Sequence, residues 1–251
     1  MGIYQQTISE LAEFYGRNLS QIFYFVLYFR KPNRMKATIN NSVSELNYLL
    51  SNASKLLTFD IDCSTMPEKE VFHDRSILRC NNYLGDMFSI LDTITMNPAI
   101  YWFEATNRNN AQLFLQALTA YRNSTKRLEE YTNSKGVTKS VFRVLPAENS
   151  NLHTFVDSKI LYVGKSEAGF TKAHQLSDIS GRMIAHLGYY PPPTTQGLQL
   201  FYWARGIKEK LTLSVVRFPE LIPDSRNQTK EYLSILEKLY AIQLRPLCGM
   251  H

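Results

Sequence analysis

Cysteine is scarce: Cys63, Cys80 and Cys248 are the only three in 251 residues, and none lies in a Cys-x-x-Cys spacing. That excludes a disulfide framework and a structural zinc site, and it fits a reducing compartment. Long apolar runs are missing too. The greasiest stretch, Ile22 to Phe29, is closed off by Arg17 on one side and Arg30 and Lys31 on the other, well short of the roughly 20 residues a membrane span needs. The N-terminus has no basic start leading into an apolar core and a small-residue cleavage site, so it does not read as a signal peptide. These absences lead us to expect a cytoplasmic protein with no membrane partner. An apolar content of 44%, with 12% aromatics, excludes disorder. A chain of this length can bury roughly 70% of its unfolded surface as one large domain or two modest ones.

Net charge is +6, and it is unevenly spread. Residues 1–136 carry 14 Lys/Arg against 13 Asp/Glu, whereas residues 137–251 carry 14 against 9. The second half is therefore either an ordinary basic domain or a polyanion-binding one.

Periodicity divides the chain in the same place. Ile8, Leu11, Phe14 and Tyr15 repeat at helical spacing, as do Val43, Leu46, Leu49 and Leu50. Ile77, Tyr83, Leu84, Met87, Phe88 and Leu91 form one broad apolar face. In a further helix Leu113, Leu115, Leu118 and Tyr121 should point inward, with Lys126 to Glu130 solvated. His73 beside Asp74 reads as a surface pair at a helix start. The expectation is a helical domain over 1–135. "TNSKG", Thr132 to Gly136, marks the boundary. Beyond it, "VTKSVFRVL" and "KILYVG" read as two antiparallel strands joined by a loose loop. "SDISGRMIAHLG" is a short helix with Ser177, Asp178 or Ser180 as N-cap and Gly188 past its end. "GLQLFYWARG" is ambiguous, "KLTLSVVRF" is a strand, and "TKEYLSILEKLYAIQL" is a helix stopped by Pro246. The predicted fold class is thus α+β: an N-terminal helical domain, then a small mixed sheet flanked by helices over 136–251.

The stretch "KILYVGKSEAGF" ends an apolar strand in Gly164, Lys165 and Ser166. A phosphate-cradling loop needs a glycine five residues before that Gly-Lys-Ser, to curl backbone N–H groups around the phosphates. Lys159 stands there, and "EAGFTKAH" separates Ser166 from any helix, so the phosphate-loop reading fails.

Four stretches in order, "SVFRVL" at 140–145, "LYVGK" at 161–165, "GRMIAHL" at 181–187 and "LEKLYAIQLRPL" at 236–247, resemble the GIY-YIG nuclease family. The resemblance covers about residues 138–251. Tyr162, Val163 and Gly164 match the second naming motif, and Lys165 the lysine that often follows it. Arg182 matches the arginine on the first helix, and His186 a histidine found in restriction-endonuclease members. Glu237 matches the glutamate that binds one divalent metal. The first motif, Gly-Ile/Val-Tyr, falls on Ser140, Val141 and Phe142, so its tyrosine hydroxyl is missing. The asparagine common after the terminal proline falls on Gly249, and the span from Lys165 to Arg182 is longer than in compact members. A literal Gly-Ile-Tyr at Gly2 to Tyr4 precedes a helix and lies far from Tyr162; it reads as chance.

The resemblance implies a Mg²⁺-dependent (or Mn²⁺-dependent) phosphodiester hydrolase acting on DNA, with Tyr162, Lys165, Arg182, His186 and Glu237 as the site and Glu237 as the metal ligand. Such chemistry needs a deprotonated water, charge relief on the phosphate and stabilisation of the leaving oxygen. Glu237 would hold a metal that keeps most of its waters. Arg182 would place a guanidinium fork on the phosphate. Tyr162, with a free pKa of about 10, needs Lys165 or the metal nearby to act as a base, and His186 is the readier proton acceptor at neutral pH. Arg182 and His186, at i and i+4, share a helix face, and Glu237 sits at the margin of a stripe of Leu233, Leu236, Leu239 and Tyr240. The Arg182/His186 pair is the feature that points to restriction or mobile-element defence.

Each residue also has a plainer reading. Tyr162 fits a packed strand aromatic, Arg182 and Glu237 solvated helix surface, and His186 a hydrogen-bonded helix residue. "YYPPP" (Tyr189 to Pro193) fits a rigid spacer or an aromatic platform for bases, and Phe201, Tyr202 and Trp203 fit the core. Two rival functions stay open: a weakly cutting or inactive nucleic-acid-binding relative, and a scaffolding protein in which the helical half is the working part. A homo-oligomer is compatible with all three.

Overall fold

Central strands buried on both faces need apolar residues at every position, and two stretches supply them: "AIYWFEA" and "ILYVGKS". In the computed structural model, which describes residues 32–68, 84–132, 135–149, 157–168, 178–190, 195–221 and 226–249, they lie side by side. The elements in chain order are α1 (Pro32–Ser51), β1 (Leu57–Asp62), α2 (Gly85–Thr93), β2 (Ala99–Ala105), α3 (Arg108–Arg122), β3 (Leu128–Thr132), β4 (Thr138–Phe142), β5 (Ile160–Ser166), α4 (Ile179–Leu187), β6 (Lys210–Arg217) and α5 (Arg226–Leu244). A short 3₁₀ turn, Leu200–Tyr202, resolves the ambiguous "GLQLFYWARG" stretch.

The architecture is α+β, but its layout departs from expectation. β1, β6, β2 and β5 form one four-stranded antiparallel sheet in that order, and β3 pairs with β4 as a separate ribbon. Two strands of the main sheet therefore come from the stretch expected to be helical. The chain divides into compact units at Met1–Ser51 and Asn52–His251. "TNSKG" lies within the β3–β4 hairpin. The strands "VTKSVFRVL" and "KILYVG" do not pair: the first is in the ribbon, the second pairs with β2. The physical reason is β2. It is buried along nearly its whole length and is flanked on its two edges by the apolar runs of β5 and β6.

One face of the sheet, with Tyr101, Phe103, Leu213 and Val215, shares an apolar core with Phe88 of α2, Phe114 and Leu118 of α3, and Met183 of α4. Each such side chain contributes about 1.5–3 kcal/mol by leaving water. Leu113, expected inward, is exposed instead. On the other face α5 packs over β5 and β2, with the Tyr240 ring 5.8 Å from that of Trp102. Leu233 and Leu236 are buried there, while Leu239 of the expected stripe is exposed. The outer edge of β5 is capped by the residues after α5: Leu247 and Cys248 donate backbone N–H groups to Ile160 and Leu161. Phe201 and Tyr202 pack partly buried against the core, as does buried Trp203.

Local signals in the sequence work as read. Asp178 caps α4 by accepting from the Gly181 N–H at 2.6 Å, and Gly188 ends it with φ +94°. Asn107 caps α3 in the same way. Pro32 stands at the first position of α1, where its missing N–H costs nothing. Helix α5 stops at Leu244, ahead of Pro246. Ile8, Leu11, Phe14, Tyr15, Gly2 to Tyr4, His73, Asp74, Ile77, Cys80 and Tyr83 lie outside the described residues. Among the described residues no helix is long and apolar enough to cross a membrane.

Candidate functional site

Strand register decides what Gly164 is for. β2 and β5 run antiparallel with Tyr101 opposite Gly164, Trp102 opposite Val163 and Phe103 opposite Tyr162. Since alternate residues share a face, Tyr101, Phe103, Tyr162 and Gly164 all face α4. A methyl group at position 164 would come within 2.6 Å of the Tyr101 hydroxyl and 2.8 Å of the Tyr162 ring. The glycine makes room for a phenol laid across the neighbouring strand. The strand pairing slips just beyond, at Phe103/Glu104, the kind of bulge that re-aims side chains. Gly164→Ala should therefore cost about 1–3 kcal/mol by overpacking and push the Tyr101 hydroxyl off its partners. Denaturant unfolding and a crystal structure of the variant check both effects.

Helix α4 brings Arg182 and His186 to that hydroxyl. Arg182 Nε donates to Tyr101 Oη at 3.2 Å, and His186 Nε2 lies 2.9 Å from the same oxygen. The imidazole sits in an aromatic cage, with ring centroids 5.4 Å from Tyr101, 5.1 Å from Phe103 and 4.9 Å from Tyr162. Its Nδ1 accepts the Leu198 N–H at 3.0 Å. A neutral imidazole that accepts at Nδ1 carries its proton on Nε2, so His186 donates to Tyr101. Full burial, with Arg182 adding to it, pushes the His186 pKa well below the ordinary histidine value. The expectation that His186 takes up a proton at neutral pH is corrected: both nitrogens are committed, and the ring is a neutral donor.

Tyr101 thus accepts two hydrogen bonds. The arrangement favours charge on the oxygen. The Tyr101 pKa is nonetheless raised above the ordinary phenol value: burial outweighs the Arg182 charge and hydrogen bond, and the Glu237 charge adds to it. Tyr162, stacked 6.5 Å from Tyr101, is raised chiefly by burial and next by Tyr101, with Arg182 again opposing. Tyr101 in turn holds Arg182 firmly protonated.

Lys165 and Glu237 meet on the α5 side of β5. Lys165 Nζ donates to Ser234 Oγ at 2.5 Å and lies 3.6 Å from Glu237 Oε2. Burial raises the Glu237 pKa, Lys165 and Arg182 lower it, and the charge of Glu167 raises it again. The Glu237 charge also acts on Tyr101, Tyr162 and Arg182. One electrostatic neighbourhood therefore joins Tyr101, Tyr162, Arg182 and Glu237, with Lys165 against the last.

Phe142 is elsewhere. It lies on β4, paired with Leu128 and 54% exposed. The strand beside Tyr162 is therefore Ala99–Ala105 and not the one that holds Ser140, Val141 and Phe142. Gly249 turns with φ +115° and donates its N–H to Ala147 O. Tyr189, offered as part of a base platform, is buried, and its hydroxyl donates to Pro67 O.

As a metal ligand Glu237 would act almost alone. Among the described residues no group of three His, Cys, Asp or Glu side chains converges. Comparison of the chain with protein-family models, with curated proteins and with solved structures returned no match.

Proposed function

We propose that the chain is a metal-dependent endonuclease hydrolysing phosphodiester bonds of DNA, on the plan of the GIY-YIG nucleases, with Tyr101 as the first-motif phenol. One observation carries the reading: the Tyr101 oxygen, opposite Gly164 and stacked on Tyr162, accepts from both Arg182 and His186. A core tyrosine needs one partner; two donors on one phenol, one of them cationic, stabilise negative charge there.

In this scheme the Tyr101 hydroxyl first loses its proton to solvent, and the phenolate, held by His186 and Arg182, takes a proton from the attacking water to become phenol again as the hydroxide adds to the phosphate. Arg182, fixed as a cation, also relieves charge on the phosphate. Tyr162 packs beside them and orients the water. Lys165 keeps Glu237 ionised, and Glu237 would hold Mg²⁺ or Mn²⁺, which supplies charge stabilisation at the phosphate and leaving oxygen. Restriction or mobile-element defence is the setting that the Arg182/His186 pair favours. The alternative is a weakly cutting or inactive nucleic-acid-binding relative, which Gly249 favours, standing where the resemblance expects an asparagine.

Plasmid DNA incubated with purified protein, with and without Mg²⁺, tests the reading. Cutting should appear only with the metal, and Glu237→Ala should reduce it by about 100-fold or more with an unchanged circular-dichroism spectrum. Tight, salt-sensitive binding without a broken phosphodiester would establish the non-cutting alternative instead.

A further inference from the structure

The imidazole that supports Tyr101 is itself held by a backbone N–H, and that backbone is held from a distance. Leu198 N–H reaches His186 Nδ1 because Gly197 passes close to α4: a methyl group there would lie 2.9 Å from Ala185 O. Directly after it, Gln199 adopts the left-handed conformation, φ +54°, which a non-glycine residue keeps only when its surroundings impose it. The side chain of Gln199, 2% exposed, is saturated. Its Nε2 donates to Val144 O and to Thr195 O, both at 2.8 Å, and its Oε1 accepts from Arg143 at 2.6 Å.

Arg143 is the largest fully buried side chain described. A buried guanidinium is expensive unless its fork is filled. One arm goes to Gln199, the other to Glu129 on β3, and its plane lies 3.7 Å over the Tyr202 ring. None of this touches Tyr101; Gly197 and Gln199 lie outside the four stretches that carry the resemblance, and Arg143, within "SVFRVL", is not one of its matched motif residues. Even so, the backbone segment that Arg143 and Gln199 fix is the one that hands its N–H to His186.

We infer that Arg143 and Gln199 are positioning residues: they lock the 197–199 segment so that His186 is confined to the tautomer that donates to Tyr101. The two nitrogens of an imidazole are distinct, and the partner of one sets the role of the other. Without the lock, Leu198 N–H withdraws, Nδ1 can carry the proton, and Nε2 becomes an acceptor facing a phenol. The inference rests on the nuclease reading only for its effect on cutting. The tautomer itself is a property of the folded chain.

The test is two-bond ¹H–¹⁵N correlation NMR on uniformly labelled full-length protein, with the His186 signals assigned by their loss in His186→Gln. In the unaltered protein His186 should show a single Nε2–H tautomer. Gln199→Leu, which keeps the volume and removes the three side-chain hydrogen bonds, should give both tautomers in exchange. Plasmid cutting should fall by about 10-fold, as expected for a group acting through another. Arg143→Lys keeps a cation but not the fork, and should do the same to a lesser degree; it decides the matter if Gln199→Leu does not fold. A role confined to stability predicts a lower melting temperature with the His186 tautomer unchanged in whichever variant folds, and that result overturns the inference. Mixed tautomers in the variants of a protein that never cuts DNA would leave the clamp standing and remove the nuclease. Normal cutting by the unaltered protein with an unmoved tautomer in the variants would do the reverse.

Discussion

Tyr101→Phe abolishes measurable cutting while Phe142→Tyr leaves it unchanged: that is the expected outcome when supercoiled plasmid is incubated with each variant and Mg²⁺. The substitution at 101 deletes one oxygen, buried and contacted by Arg182 Nε and His186 Nε2. Loss of a proton-accepting group of this kind lowers a rate by about 10²–10⁴-fold. The ring remains, so its packing against Phe103 and Tyr162 remains. Two donors are left facing a carbon edge, which costs about 1–3 kcal/mol of stability, readable as a shift in the denaturant midpoint. At position 142 a new hydroxyl would simply enter water, because that ring is 54% exposed on the ribbon. Should Phe142→Tyr raise the rate and Tyr101→Phe leave it alone, the first motif belongs at 140–142 after all, and the site proposed around Tyr101 is wrong.

Arg182→Ala should be nearly as damaging, for a different reason. Its guanidinium donates to Tyr101 and its charge pulls down the proton affinities of Tyr101, Tyr162 and Glu237 together. Removing it raises the proton affinity of each of those groups further and takes the one guanidinium away from the Tyr101 oxygen. The expected loss in rate is about 10²–10³-fold. Arg182→Lys separates charge from geometry. An ammonium restores part of the electrostatics but cannot donate through a rigid Nε, so cutting should recover only in part. Rates for the three proteins, measured at one salt concentration, decide it; near-native cleavage by the alanine variant removes Arg182 from the site.

How much of this could be read beforehand depends on the kind of signal. Caps and punctuation are local, and they gave α4 from Asp178 and Gly188 and the end of α5 from Pro246. The β6 strand was plain from its branched and apolar run. Tyr162, Arg182 and Glu237 could be named because their order matches a pattern, and they do share one electrostatic neighbourhood. Tyr101 escaped because β2 has no period. "AIYWF" is apolar at every position, does not alternate, and stands between two helices, so nothing local marks it as the partner of a strand that begins at Ile160. The nearest upstream strand, Thr138–Phe142, took its place in the reading. A signal was present: a short branched and aromatic run after Pro98, ending in the polar residues before Asn107. What a single sequence could not supply was the pairing, which residues 106–159 separate. The partner of His186, the Leu198 N–H, is a backbone group that no sequence pattern displays.

The order of strands across the main sheet carries a consequence for synthesis. β6 lies between β1 and β2, so a nascent chain that has not yet delivered Lys210 to Arg217 leaves both earlier strands with an open side. Growing the sheet must wait for distant segments to meet, which slows folding and lengthens exposure of sticky edges. Glu237 comes later still. A ribosome-bound fragment that stops short of α5 therefore carries the phenols, the guanidinium and the imidazole without the carboxylate.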